Sequence, residues 1–199
     1  MSLFAALRLP REILFGKGQR HALPDVAGKL GKRALICTDE RFAGTEMFAR
    51  SVEGLRAASI EVLVYDQILP DVPRDSVAVC VEAARAFAPD MVIGIGGGSC
   101  LDMAKCAALL LTHGGVLQDY YGEFRIPGPV MPVIAVPTTA GTGSEVTPVA
   151  VISDPEKTLK VGISSPYLIA AAAICDPELT MTCPRGLTAI AGADALTHA

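Results

Sequence analysis

Charged and aromatic residues are scarce in this sequence of 199 residues. Asp, Glu, Lys and Arg together make up 19% of it and aromatic residues 5%, and tryptophan does not occur. The formal net charge is −4, and the Lys and Arg residues form no cluster along the chain. A nucleic-acid-binding protein needs such cations to neutralise phosphates, so we expect no nucleic-acid partner. The apolar runs fall far short of the ~20 residues of a membrane span, so we expect no membrane partner.

Closely paired cysteines are also missing. None of the six cysteines belongs to a C-x-x-C pair, the spacing typical of zinc ribbons and redox-active thiols. Each cysteine stands among apolar or small residues, which is the usual setting of a free buried thiol. Free thiols persist in reducing compartments, and we therefore expect a cytoplasmic protein.

Hydrophobic residues, by contrast, make up 51% of the sequence, which also holds 19 Gly and 14 Pro. Short apolar runs of strand length alternate with amphipathic helical stretches along the chain. The strand-like runs lie at residues 33–38, 60–65, 91–95, 133–136 and 172–175, and the helical stretches at residues 45–58, 75–87 and 101–111. This alternation is typical of a parallel sheet with crossover helices. The sequence therefore predicts an α/β fold, a Rossmann-like parallel sheet with flanking helices.

Three further segments complete the predicted organisation. Residues 4–15 alternate loosely around a Pro-Arg pair and predict a short hairpin, and residues 146–153 and 159–163 predict a small β hairpin around an Asp-Pro turn. After Pro184 the spacing of apolar residues becomes helical and continues to Ala199 without a cap or a terminating glycine. We therefore expect a dinucleotide-binding α/β domain at residues 1–183, and the first helix of a truncated all-α domain at residues 184–199.

A glycine loop (residues 96–99, Gly-Gly-Gly-Ser) follows the apolar run 91–95 and opens a helix. At such a place backbone N–H groups can approach a phosphate, and the helix dipole favours the negative charge. Ser99 is a candidate helix N-cap or phosphate ligand, and Asp102 falls near the capping-box position. The alternative is a tight turn that needs glycine for a positive φ. The loop is neither G-x-G-x-x-G nor a P-loop.

Two other features stand at predicted strand ends. Asp39 follows the run 33–38, where an acidic residue can bond a ribose diol and repel a 2′-phosphate; the alternative is a helix N-cap or a solvated acid. A threonine loop (residues 137–145) follows the run 133–136 and holds four hydroxyls and two glycines. Its hydroxyls and amides suit a ribose, a nicotinamide amide or a pyrophosphate, unless they merely bond to their own backbone.

Asp194 and His198 are four residues apart in the last predicted helix. Helical residues at this spacing are neighbours, ~5–6 Å apart at Cβ, so one divalent ion can take an oxygen and a nitrogen from one face. Mixed Asp and His ligation suits Fe²⁺ or Zn²⁺, and such an ion polarises an alcohol oxygen as a Lewis acid. The alternative is a solvent-exposed pair, and two ligands alone are too few for a complete site.

In this set of motifs the sequence resembles the iron-containing (group III) alcohol dehydrogenases. The matching stretches are Phe-Gly-Lys-Gly at residues 15–18, the glycine loop with Asp102 and Lys105, residues 137–147, Asp-Pro at 176–177, and Gly-Ala-Asp-Ala-Leu-Thr-His-Ala at 192–199. The resemblance implies a nucleotide-binding domain and a helical metal-binding domain, with the active site between them. It implies hydride transfer between an alcohol, aldehyde or ketone and NAD or NADP, assisted by Fe²⁺ or, alternatively, Zn²⁺. Only Asp39 favours NAD over NADP.

The resemblance also implies the site residues. The dinucleotide is expected at Asp39, Gly97, Gly98, Ser99, Asp102, Thr138, Thr139, Thr142, Thr147, Val151, Lys160 and Leu179, and the metal at Asp194 and His198. A cation at Lys160 can bond ribose hydroxyls or offset phosphate charge, although a plain surface lysine is the alternative. Members of the family often carry Asn near position 71, where this sequence has Asp71, a further cofactor candidate.

Two metal-binding histidines of the family are missing from these 199 residues. We therefore expect the chain alone to bind a dinucleotide, to hold metal weakly and to turn over poorly. The alternatives are a maleylacetate or polyol reductase of the same superfamily, a cyclising synthase of the dehydroquinate type, and a nucleotide-binding module without catalysis. An apolar N-terminal strand at residues 4–9 can pair between two chains, so a homodimer acting on a small alcohol or aldehyde is expected.

Overall fold

The computed structural model describes residues 7–198. Its strands are β1 (Glu12–Phe15), β2 (Arg33–Cys37), β3 (Glu61–Tyr65), β4 (Met91–Gly96), β5 (Gly122–Glu123), β6 (Val133–Pro137), β7 (Val149–Ile152), β8 (Val161–Ser164) and β9 (Ala172–Cys175). Six of them form a parallel sheet in the order β1-β9-β6-β4-β2-β3. The other three form a small sheet in the order β5-β8-β7, in which β7 and β8 are antiparallel.

The α-helices are α1 (Leu23–Gly28), α2 (Glu40–Ala43), α3 (Glu46–Ala57), α4 (Arg74–Arg85), α5 (Gly98–His113) and α6 (Arg185–His198). Both faces of the large sheet are covered. Leu35 and Val92 face the core that includes residues of α4 and α5, whereas Ile36 and Ile93 face the core that includes residues of α1 and α3. Neighbouring strand residues point to opposite faces, so a sheet buried on both sides requires the continuous apolar runs that the sequence shows.

Helix α5 lies at the centre of the molecule. It contacts β4 and β6 of the large sheet and β7 of the small one, and every residue from Cys100 to Leu110 is buried. Gly94 of β4 permits this close packing, since a Cβ there would lie 3.0 Å from the Cβ of Ala104 and 3.2 Å from the Cα of Leu101. The helix therefore joins the two sheets and presents its N-terminus at the carboxyl edge of β4.

The predicted α/β fold is confirmed, as are the five apolar strands, the hairpin of β7 and β8, and the helix after Pro184. The predicted hairpin at residues 4–15 is wrong in its described part. Residues 7–9 form no strand, and β1 pairs in parallel with β9 instead; residues 4–6 lie outside the described range. All six cysteines are free, as predicted, but Cys175 and Cys183 are only half-buried. None of the helices between residues 7 and 198 combines the length and apolar character that crossing a bilayer demands.

Candidate functional site

An open cleft of about 980 Å³ lies at the carboxyl edge of the parallel sheet, which is where ligands bind in open α/β sheets. The loops that follow β2, β4 and β6 form its floor, and α6 contributes one wall. All predicted cofactor and metal residues line this cleft except two: Asp39, Gly97, Gly98, Ser99, Asp102, Thr139, Thr142, Thr147, Val151, Lys160, Asp194 and His198. The predicted residues therefore share one site, although they come from distant parts of the sequence.

The exceptions are Thr138 and Leu179. Leu179 is 2% exposed and packs in the core together with residues of α1 and α3. Thr138 is 1% exposed, and its backbone N–H donates to the carbonyl of Gly96 at 2.9 Å. Its Oγ1 is buried and has no hydrogen-bond partner among residues 7–198, which is costly for a hydroxyl. Neither side chain lines the cleft, so their assignment to the cofactor remains a prediction.

The glycine loop and the threonine loop touch each other at the floor of the cleft. A Cβ on Gly98 would lie 2.8 Å from Cγ2 of Thr142, and a Cβ on Gly97 would lie 3.5 Å from Cγ2 of Thr139. A side chain on Gly98 would displace the neighbouring loop, so glycine is required there for close approach. The first N–H groups of α5, which have no partner within the helix, lie at this meeting point.

The predicted capping role of Ser99 is wrong, because Gly97 is the N-cap of α5. The Oγ of Ser99 instead accepts a hydrogen bond from the backbone N–H of Asp71 at 3.0 Å. Asp102 is buried and forms no capping box. Its Oδ1 accepts from the hydroxyl of Ser144 at 2.6 Å, and its Oδ2 accepts from the backbone N–H of Val151 at 3.1 Å. Tertiary partners, and not the first turn of the helix, determine the role of both side chains.

A buried lysine holds the threonine loop on α5. The Nζ of Lys105 donates to the carbonyls of Ser144 at 2.7 Å, Thr147 at 3.0 Å and Val149 at 2.7 Å, and lies 3.1 Å from the Oγ of Ser144. Burial lowers the pKa of Lys105 to about 8, an effect that the charge of Asp102 opposes. Burial likewise raises the pKa of Asp102. The two charges therefore stabilise each other through Ser144 inside the protein.

Lys105 belongs to one of the motifs that carry the family resemblance, but no role was predicted for it from the sequence. The sequence around it contained a signal. Asp102 and Lys105 are three residues apart in a helix that is otherwise apolar from Cys100 to Leu111. Lysine and aspartate are almost never fully buried unless they are paired. A charged pair on a helix buried on all sides therefore predicts a buried polar contact, although not its partners.

The alternative of an N-cap is confirmed for Asp39, whereas its contact with a ribose stays a prediction. It is the N-cap of α2, and its Oδ1 accepts from the backbone N–H of Phe42 at 2.9 Å. Its carboxylate also lines the cleft, where the thiol of Cys100 lies 3.7 Å from Oδ2 and Nε of Arg41 lies 3.8 Å from Oδ1. Burial, and then the nearby charge of Asp39, raises the pKa of the Cys100 thiol, so that this sulfur stays protonated beside the carboxylate.

Asp194 and His198 lie on the face of α6 that borders the cleft. Oδ1 of Asp194 and Nδ1 of His198 are 3.7 Å apart, and both side chains reach solvent. The threonine loop positions this helix, since a Cβ on Gly141 would lie 2.9 Å from the Cα of Ala191. Between residues 7 and 198, no group of three His, Cys, Asp or Glu side chains is arranged to hold a metal ion. On their own, the two side chains offer one oxygen and one nitrogen donor to the cleft.

Comparison with known proteins identifies the same family as the sequence motifs do. The family model of iron-containing alcohol dehydrogenase matches residues 10–177. A sulfoacetaldehyde reductase of Bilophila wadsworthia is 38% identical over 95% of this chain and 49% of its own length. An NAD-dependent methanol dehydrogenase of Bacillus methanolicus is 36% identical over 96% and 50%, respectively. The chain thus spans about half the length of the curated relatives it matches.

The solved structures include a sulfoacetaldehyde reductase of Bifidobacterium kashiwanohense in complex with NAD⁺. It superposes on this chain with a TM-score of 0.83 at 32% identity, and the match covers 97% of this chain and 51% of that one. The similarity therefore extends from the motifs to the whole arrangement of strands and helices described above.

Replacing Lys105 by Met tests whether the buried ammonium holds the threonine loop. Methionine keeps the length and packing of the side chain but leaves three buried carbonyls without their donor. We expect the free energy of unfolding in urea to fall by about 2–4 kcal/mol. We also expect the amides of Ser144 and Val146, which donate hydrogen bonds within this segment, to lose protection from hydrogen exchange.

The matched control is Lys29→Met, since Lys29 is exposed and its nearest carboxylate oxygen is 3.7 Å away; its effect should stay within about 0.5 kcal/mol. The pH dependence gives a second check. The folded pKa of about 8 lies below the reference value of 10.5, so between these values the unfolded chain binds more protons. The stability of the wild type relative to Lys105→Met should therefore rise with pH across that window. Equal stability of the two lysine variants would refute the assigned role.

Proposed function

The chain belongs to the iron-containing alcohol dehydrogenase family, and on that premise we propose that it supplies the dinucleotide-binding half of an oxidoreductase. The proposed reaction transfers hydride between a small alcohol or aldehyde and NAD. The observation that carries the proposal is the contact of two loops at the carboxyl edge of the sheet, where Gly98 lies directly against Thr142. These loops open into a cleft that Asp194 and His198 also border.

The residues present fit a dinucleotide. Gly97 and Gly98 leave space that a side chain would fill, and the free N–H groups at the start of α5 suit a diphosphate. The carboxylate of Asp39 is held at the cleft by its cap to α2 and can accept hydrogen bonds from a ribose diol, which favours NAD over NADP. Support also comes from two relatives, one of which is an NAD-dependent methanol dehydrogenase and the other a reductase solved with NAD⁺.

The pair on α6 fits a divalent ion. The 3.7 Å between its oxygen and nitrogen is less than the sum of two metal–ligand bonds of about 2.1 Å each, so one ion can contact both. We propose Fe²⁺ as the ion, with Zn²⁺ as the alternative, and α6 as the first helix of a helical metal-binding domain that begins at residue 184. Asp194 and His198 would hold the ion, which would supply Lewis-acid polarisation of the alcohol oxygen, and the dinucleotide would supply the acceptor of the hydride.

Titration of the chain with NAD in a calorimeter tests the dinucleotide site. The wild type should bind, and Gly98→Ala should weaken binding at least about tenfold, equivalent to ~1.4 kcal/mol, because the new Cβ displaces Thr142. Gly98 is the first residue of α5, and alanine is favourable in a helix. This preference offsets part of the cost of displacing Thr142, so the variant should stay folded, as its circular dichroism should show.

Gly28→Ala is the matched control, since nothing lies within 4 Å of a Cβ at that position. It should bind NAD like the wild type. A wild-type chain that does not bind NAD would overturn the proposed function. Equal binding by Gly98→Ala and Gly28→Ala would show that the contact between the two loops is not the binding site.

The metal role of Asp194 is tested by turnover of the complete gene product, followed at the nicotinamide absorbance band. Removal of a ligand to a Lewis acid worth several kcal/mol should lower kcat/KM in Asp194→Ala at least about a hundredfold. The content of bound iron should fall with it. Asp25→Ala, an exposed aspartate on α1, should change neither. Unchanged turnover in Asp194→Ala would exclude the metal role, and NAD binding without any turnover would favour a non-catalytic nucleotide-binding module.

We further propose that the chain forms a homodimer through the edge strand β1. In the described range no strand pairs with its outer edge, and Ile13 and Phe15 are 43% and 80% exposed there. Such an edge readily pairs with another chain. Light scattering should give twice the mass of one chain for the wild type and a single chain mass for Phe15→Glu. Val79→Glu, at an equally apolar exposed position on α4, should stay dimeric; monomeric wild type would rule the dimer out.

The cysteines support a proposed location in a reducing compartment, the cytoplasm. All six cysteines are free, although four of them, Cys37, Cys80, Cys100 and Cys106, are buried in or beside one core. Oxidising compartments favour disulfides, so thiol labelling of the unfolded, natively purified protein should recover six reactive thiols.

A further inference from the structure

Asp71 and Lys160 face each other across the mouth of the cleft. Oδ1 of Asp71 and Nζ of Lys160 are 2.6 Å apart, and the two side chains are 60% and 52% exposed. Asp71 lies in the segment between β3 and α4, whereas Lys160 immediately precedes β8. The ion pair therefore connects two walls of the cleft in front of the glycine loop.

The backbone of Asp71 is held in place, and with it the position from which the carboxylate projects. The N–H of Asp71 donates to Oγ of Ser99 at 3.0 Å, and the N–H of Ser153 approaches the carbonyls of Asp71 and Val72 at 3.0 and 3.1 Å. Both residues have a positive φ, +63° for Asp71 and +46° for Val72. A β-branched residue adopts this conformation only when its surroundings impose it. The surrounding hydrogen bonds thus hold Asp71 beside the glycine loop.

This position has an electrostatic cost for an anionic ligand. Through Ser99, Asp71 contacts the start of α5, where the N–H groups suit the diphosphate of a dinucleotide. A fixed carboxylate there repels a diphosphate, and the ammonium of Lys160 neutralises that carboxylate as long as the two are paired. The Nζ of Lys160 lies 2.6 Å from Asp71 and has to move away from it to make an equally short contact with a ligand phosphate. Because Coulomb attraction falls with distance, the two contacts compete for the position of one ammonium group.

We propose that Asp71 sets the affinity of the cleft for dinucleotides by competing with their diphosphate for Lys160. Binding of the cofactor draws Lys160 away from Asp71 and leaves a carboxylate facing the phosphates. The cofactor is therefore held less tightly than the glycine loop and Lys160 alone would hold it, which favours its exchange. This inference rests on the proposed dinucleotide function.

Calorimetry on the chain tests it with an isosteric change. Asp71→Asn removes the charge but keeps the shape, and asparagine tolerates a positive φ as aspartate does. We expect the Kd for NAD to fall about five- to tenfold, which is the lower end of the couplings usual between two interacting sites. Binding of adenosine, which lacks the diphosphate, should not change. The matched control is Asp75→Asn, an exposed aspartate that pairs with Arg74 outside the cleft, and it should bind NAD like the wild type.

A double-mutant cycle with Lys160→Gln supplies the decisive readout. If Asp71 and the cofactor compete for Lys160, removing Lys160 should weaken NAD binding more in the Asp71→Asn background than in the wild type. Equal or weaker NAD binding by Asp71→Asn, with the wild type binding normally, would overturn the role of Asp71 and leave the dinucleotide site intact. Failure of the wild type to bind NAD would overturn both.

Discussion

Lys105 carries a positive charge into the middle of the protein, and the arrangement of the cleft depends on how that charge is accommodated. Transfer of an ammonium group from water to the interior costs several kcal/mol even after relaxation. Three backbone carbonyls, one hydroxyl and the nearby carboxylate of Asp102 offset that cost. These carbonyls belong to Ser144 in the threonine loop and to Thr147 and Val149 just after it, so satisfying Lys105 places this loop on α5. The same contact therefore builds the core and brings Thr142 against Gly98.

The local elements of the fold were predictable, whereas contacts between distant segments were not. β2, β4 and β6 are buried on both faces, so their sequences are uniformly apolar and identify them. α1 was missed because it is only six residues long and begins with Leu-Pro, too short for a helical period. The pairing of β1 with β9 joins residues about 160 positions apart, and no local pattern encodes such a partner. A loose alternation therefore predicted a hairpin where the chain forms an edge strand.

In the candidate site, too, local features were predictable and contacts between distant segments were not. Glycines and hydroxyls after a strand predicted which loops form the cleft, because parallel strands all end at one edge. The sequence did not indicate that Ser99 would meet Asp71 or that Asp102 would bond to Ser144 and Val151, since those partners come from distant segments of the chain. Short capping motifs describe a helix on its own. In this protein the side chains of Ser99 and Asp102 instead bond to groups outside the helix.

The carboxylates of the cleft explain how a chain of net charge −4 can offer a site to an anion. Each one has a partner: Asp39 accepts from the N–H of Phe42, Asp102 from Ser144, Asp71 pairs with Lys160, and Asp194 lies beside His198. Hydrogen-bonded or paired carboxylates project less negative potential than free ones, so the N–H groups of α5 determine the local field at the glycine loop. Net charge thus predicts which classes of ligand the protein surface as a whole disfavours. What the cleft can bind is determined by the groups that pair with each of its carboxylates.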